Sequence, residues 1–219
     1  MNRKTVLFLI LALMVASGAG IGGYYWYEGE HYVKTEDARV TGDIYRIMPR
    51  ISGKITSLVI ADGDPVVADQ IVGEQDTANL PTNMLDNATL RSPITGTVIK
   101  TLAKVGEVVS PGQTVAMVVD ESKLYISANI EETEVGRVHL GQPVEITIDA
   151  FPDKTLHGHV TEIGRATNAT FSLLPSTNTS GNFTKVTQRI PIKITIDKME
   201  DVDLSTGMNA FIKIDVKGT

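Results

Sequence analysis

The chain has 219 residues, with 26 acidic against 20 basic side chains, a formal charge of −6, 5% aromatics and no cysteine. That length allows one or two domains with a real core. The lack of cysteine excludes a disulfide framework, a thiolate-held metal and a cysteine-borne lipid, and the acidic balance argues against nucleic acid or anionic lipid as a partner.

The first element is apolar. Arg3 and Lys4 precede residues 6–27, which carry no charge and at a ~1.5 Å rise reach roughly 33 Å, against a hydrocarbon core of about 30 Å. Basic residues before the stretch and Glu28, Glu30, Glu36 and Asp37 after it place the N-terminus in the cytoplasm and the rest outside, periplasmic or extracellular. Tyr24, Tyr25, Trp26 and Tyr27 suit the headgroup level of a retained anchor. A leader cleaved near Ser17–Ala19 is the competing reading. Gly18 and Gly22 form a small-xxx-small pair, a spacing that also arises from loose small residues. With the +2 of the basic head removed from −6, residues 28–219 carry −8. Residues 28–46 read as an extended linker and a first strand.

Next the chain repeats itself. Laid on itself with an offset of 43, Gly53 falls on Gly96, Gly63 on Gly106, Val66 on Val109, Gln70 on Gln113 and Val72 on Val115. Each half, 47–76 and 92–120, reads as strand, glycine turn, strand, with Gly63 and Gly106 at matching turns that favour positive φ. Neither half can bury its apolar face alone, so the two predict one small sandwich joined by a connector at 77–91. Past 121 the runs lengthen and alternate. Ala210, Ile212 and Ile214 interleave with Phe211, Lys213 and Asp215, the period of a half-buried antiparallel strand, so 121–219 is expected to form a β-barrel domain. Residues 131–142 are its one helix-like piece, and 173–182 read as a polar loop.

These segments carry a resemblance. The paired half-motifs resemble the biotinyl/lipoyl-like sandwich. The order of anchor, "TEDARVTGDIYRIMPRISGKI", "LRSPITGTVIKTLAKVGEVVSPGQ" and "GNFTKVTQRIPIKI" is similar to a membrane fusion protein of the HlyD/EmrA family, the adaptor subunits of bacterial efflux and secretion pumps. The resemblance implies a mostly β fold: an N-terminal membrane anchor helix, a lipoyl-like barrel-sandwich hybrid, then an antiparallel barrel. It also implies a homo-oligomer in the inner membrane and a polytopic transporter as partner, with a major-facilitator type ahead of an ATP-driven one. In that family a long α-helical hairpin usually separates the two lipoyl halves. Here only 77–91 does, and Pro81 interrupts it, so contact with an outer-membrane channel is in doubt.

No residue stands out as catalytic, cofactor-binding or metal-ligating. A lipoate or biotin arm needs a lysine at the sandwich tip, yet Thr77 follows Asp76 and no lysine occurs from 55 to 99. His157 and His159 share one strand face, but no third ligand accompanies them in the sequence, so a solvated face is the expectation. No G-x-S-x-G elbow or phosphate loop is present, and the sequons at Asn87, Asn168, Asn178 and Asn182 read as chance in polar loops. Two functions remain: a non-enzymatic efflux adaptor, or an envelope binding or structural module of the same architecture.

Overall fold

The computed structural model describes residues 3–78, 80–167, 170, 187–198 and 202–217, with residues 3–10 described by their backbone alone. The loop expected at 173–182, the start of the 181–194 segment and the sequons at Asn168, Asn178 and Asn182 lie outside the described residues. Helix α1 spans Arg3–His31 and strand β1, Tyr32–Thr41, follows at the next residue. The linker expected from residue 28 is therefore absent. The helix outlasts its apolar stretch by a turn, in which the Tyr27 and His31 rings stack 3.9 Å apart and the His31 ring nitrogen hydrogen-bonds the Tyr27 carbonyl at 2.8 Å. Among the described residues no helix is long and apolar enough to cross a membrane; the stretch read from the sequence begins at Val6, where side chains are not described.

After β1 come β2 (Ile44–Ile47), β3 (Gly53–Leu58), β4 (Pro65–Val66), β5 (Ile71–Gln75), a 3-10 turn (Thr82–Ala88), β6 (Thr89–Arg91), β7 (Gly96–Thr101), β8 (Val108–Val109) and β9 (Ala116–Val119). The chain continues through β10 (Tyr125–Glu131), helix α2 (Glu132–Val135), β11 (Pro143–Ile148), β12 (Phe151–Ile163), β13 (Arg189–Ile196) and β14 (Asn209–Asp215). Two compact units result, one built on a barrel with α1, the other on a sandwich that includes residues 202–207.

The barrel closes in the order β1-β10-β13-β12-β11-β14. Strand alternation sends Ile126, Ile130, Ile146, Ile148, Ile194, Ile212 and Ile214 into its core, each fully buried, while Lys213 and Glu145 face each other outside, 3.4 Å apart. Branched side chains fill a barrel of this size, so it is a packed support and not a conduit.

The sandwich consists of two four-stranded sheets, β2-β9-β7-β4 and β6-β5-β3-β8. Its ladders obey the offset of 43 residue by residue. Gly53 pairs with Val109, and their counterparts Gly96 and Val66 pair with each other. Ile55, Ser57 and Leu58 face Gln75, Glu74 and Gly73, just as Val98, Lys100 and Thr101 face Val118, Met117 and Ala116, with the same irregularity after the first pair. The turns match too: Gly63 and Gly106 have φ of +93° and +94°. Each half thus completes the other's sheets, burying Ile55 with Val98, Val66 with Val109 and Val72 with Val115.

The repeat extends beyond its expected edge. Ile47 pairs with Ala116 as Leu90 pairs with Gly73, so β2 and β6 are also equivalent. Residues 89–91, assigned above to the connector, are a core strand, and Leu90 is fully buried. A single apolar residue inside a polar segment gave too weak a period to show it.

One ion pair joins the halves without a symmetric counterpart. The Asp62 carboxylate accepts from the Lys100 ammonium at 2.7 Å and the Thr101 N–H at 2.6 Å; these bonds, the lysine's above all, hold its carboxyl below the ordinary 3.8. A carboxyl depressed in the folded state stabilises above its unfolded pKa and loses that contribution as pH falls through the folded value. Asp62→Asn should therefore melt lower than the parent at pH 7, with the two melting curves converging below the ordinary carboxylate range. A gap that persists or widens in acid would mean that the pair contributes nothing.

Candidate functional site

Two places carry the side chains that a scaffold of this kind presents: the tip of the sandwich and the junction of α1 with the barrel. At the tip, where a carrier domain would hold its lysine, Asp76 N–H donates to the Lys54 carbonyl at 2.8 Å and the Asp76 carboxylate accepts from Ala78 N–H at 2.9 Å. Arg91 closes the segment by donating to the Asp69 carbonyl at 3.0 Å and to Asp86 at 3.1 Å. Met84 and Leu85 stay partly exposed. Gln75 is buried there, its amide nitrogen donating to the carbonyls of Ile51 and Gly53 at 3.1 and 3.2 Å.

His157 and His159 lie on β12. The Nδ1 of His159 is 2.8 Å from the Asp197 carboxylate, while His157 accepts the Asp197 N–H at its carbonyl. Among the described residues no group of three or more His, Asp or Glu is placed to hold a metal ion.

The junction was not legible in the sequence. The last four carbonyls of a helix have no partner within it. Here the Arg137 guanidinium donates from Nη2 to the Gly29 carbonyl at 2.7 Å and the Glu30 carbonyl at 2.9 Å, and Val216 N–H donates to the His31 carbonyl at 2.9 Å. A cation at a helix C-terminus also complements the helix dipole. The other face of Arg137 is held by Glu134 at 2.6 Å. Lys34 pairs with Glu28, Lys217 with Glu30 at 3.5 Å, and the Lys213 ammonium lies 3.9 Å above the Tyr32 ring. A cavity of about 520 Å³ opens beside this cluster, with Tyr25, Glu28, Lys34, Glu134 and Arg137 among its walls.

Beneath Arg137 lies Gln142. Its amide nitrogen donates to the carbonyls of Arg137 and Val216 at 3.2 and 3.3 Å, its amide oxygen accepts from His139 N–H at 2.9 Å, and it is 2% exposed. A signal for it was available. Val138–Gln142 repeats the turn of Val66–Gln70 and Val109–Gln113: a buried valine, then a residue of positive φ, Asp69, Gly112 or Gly141, then a glutamine whose oxygen accepts the N–H three residues back.

Comparison with known proteins agrees with this architecture. Residues 43–121 match the profile of the RND MFP barrel-sandwich hybrid domain and residues 123–215 that of the AAEA-like beta-barrel domain. YhbJ of Bacillus subtilis (strain 168), whose name provisionally assigns it to an efflux system, is 40% identical over 191 residues, covering 85% of this chain and 81% of YhbJ. Those 191 positions leave no room for an insertion of hairpin length in YhbJ. The colistin resistance protein EmrA of Acinetobacter baumannii is 36% identical over 143 residues, 64% of this chain but 40% of its own length. Among solved structures, the periplasmic adaptor protein EmrA superposes with a TM-score of 0.56 at 15% identity, over 84% of this chain and 98% of that one. A MacA-MexA chimera carrying the Pseudomonas aeruginosa MexA α-hairpin domain gives 0.69 at 20% identity, over 86% and 83%. With both domains matched in order and YhbJ matched through most of its length, the chain belongs to the HlyD/EmrA-type membrane fusion protein family.

Proposed function

We propose that the chain is a non-enzymatic adaptor of an export system. Residues 6–27 of α1 anchor it once in the bacterial inner membrane, with the N-terminus in the cytoplasm and both β units outside. It couples, as a homo-oligomer, to a polytopic transporter that expels small toxic compounds. The observation that carries this reading is the 40% identity to YhbJ over 85% of the chain. The name of the Acinetobacter relative, a colistin resistance protein, supports toxic compounds as cargo. The similarity of residues 181–194 to the EmrA-like barrel signature favours a major-facilitator partner over an ATP-driven one. The anchor reading is supported by the uncharged length of 6–27, the basic head and the aromatic cluster at Tyr24–Tyr27. With so short a connection between the halves, direct contact with an outer-membrane channel forms no part of the proposal.

Deleting the gene in a strain that expresses the cognate transporter should raise sensitivity to amphiphilic toxic compounds. The full chain should restore resistance, whereas a chain whose residues 1–27 are replaced by a cleaved leader should not. Unchanged susceptibility across a broad panel, with the transporter active, would favour an envelope module without a transport role. Restoration by the leader version would remove the anchor.

A further inference from the structure

We propose that Arg137 and Gln142 latch the barrel onto the last turn of α1, so that helix and barrel move as one body and a displacement of the helix within the membrane reaches the barrel undiminished. The inference rests on the anchor reading above, but its first measurement does not depend on export.

Three observations converge on it. No residue separates helix from strand: α1 ends at His31 and β1 begins at Tyr32. A direct connection still leaves one pair of backbone dihedrals to act as a hinge, so what fills the helix end decides whether the joint bends. Here three consecutive carbonyls, those of Gly29, Glu30 and His31, are taken by donors from the barrel unit, Arg137 and Val216. Bending the joint would strip those bonds, two of them charge-assisted and therefore stronger than neutral ones. The donors, finally, are themselves fixed. Gln142 ties the Arg137 and Val216 backbones together from below, buried, with its oxygen and its nitrogen both engaged. A buried amide that serves both sides of a joint positions it, because its removal leaves several groups unpaired at once.

The guanidinium matters for its shape as well as its charge. It reaches two successive carbonyls from one nitrogen while a second nitrogen holds Glu134, an arrangement a lysine's compact ammonium does not reproduce. Arg137 is about a third exposed, with a side-chain exposure of 34%, so its replacement leaves the barrel core intact.

The chain has no cysteine, so two introduced cysteines can be spin-labelled without background. Trp26→Cys on α1, at a position 72% exposed, and Asp153→Cys at an exposed position of β12 report the angle between helix and barrel in the full chain reconstituted in lipid nanodiscs. With the labelled chain diluted in an excess of the cysteine-free chain, so that distances arise within one protomer, the parent should give one narrow distance distribution. Arg137→Ala and Arg137→Lys should each broaden it at least twofold while circular dichroism shows the β structure unchanged, and Glu134→Gln, which keeps the bonds to the helix, should not. The two Arg137 variants should also lose resistance in the complementation assay at parental expression and membrane insertion. A width unchanged in Arg137→Ala, or broadened equally by Glu134→Gln, would overturn the latch. Broadening with full resistance would overturn the transmission of movement while leaving the adaptor function in place.

Discussion

Gly96→Ala is expected to cost the sandwich about 3 kcal/mol or more, at the upper end of what one added methyl does to a packed site. Gly96 lies on β7 opposite Val66, and a Cβ built there would sit 2.1 Å from the Val119 carbonyl oxygen and 2.8 Å from its carbon. That carbonyl cannot step aside, because the next residue, Thr97, is paired with Val119 in the ladder. The repeat supplies an internal control. At the equivalent Gly53 the added Cβ would meet Gln75 at 3.2 Å from its amide nitrogen and 3.3 Å from its Cβ, a milder approach to side-chain atoms and not to a ladder carbonyl, so Gly53→Ala should cost roughly 1 kcal/mol, near the low end of overpacking. Gly106 differs again. A Cβ added there would meet nothing within 4 Å, but φ is +94°, so Gly106→Val suffers backbone strain of about 1 to 3 kcal/mol. Thermal unfolding followed by far-ultraviolet circular dichroism should rank them Gly96, Gly106, Gly53 in order of damage. A Gly96 variant that melts with the parent would mean that β7 and β9 stand further apart than described.

The repeat was legible because turn chemistry fixed it: glycines at equal spacing, glutamines three residues after the N–H they accept, and valines placed to face inward. The structure extends it at its N-terminal end, to Arg46 and Thr89, because strand pairing follows register even where side chains differ. Gln75, the counterpart of Val118, is the instructive exception. One half buries an amide that must find the Ile51 and Gly53 carbonyls, the other a valine, and no matching of residue types would equate the two. The barrel was legible from alternation alone. Its joint with α1 was not, since Arg137 and Gly29 lie more than a hundred residues apart in sequence and only the closed barrel brings them together. The polar, glycine-bearing segment after Tyr27 reads locally as a linker; non-local capping makes it helix.

The same tension between local composition and register decides the connector. Replacing Thr77–Asp86 with a Gly/Ser loop of equal length is expected to change stability by less than ~1 kcal/mol, because a softer surface loop adds little closure entropy, and the ion pairs it removes, those of Arg91 and Arg50 with Asp86, rest on a carboxylate 73% exposed, where such pairs contribute about 0–1 kcal/mol. Leu90→Ala, four residues further on, is expected to cost about 2 to 5 kcal/mol. Leu90 is fully buried in the sandwich core on β6, at the place that Ile47 fills on β2, and it packs toward Gly73, where its Cδ1 would stand 3.2 Å from any Cβ. That close fit leaves the site little means to collapse around a smaller residue, so a cavity and lost transfer energy add. The boundary of tolerance should therefore fall between Asp86 and Ala88, itself 1% exposed. It should not fall at Arg91, as composition alone suggested. Melting curves of the loop replacement and of Leu90→Ala in the same buffer test this. A loop replacement as damaging as Leu90→Ala would make 77–86 a packed element. A harmless Leu90→Ala would return β6 to the connector and break the equivalence of the two halves.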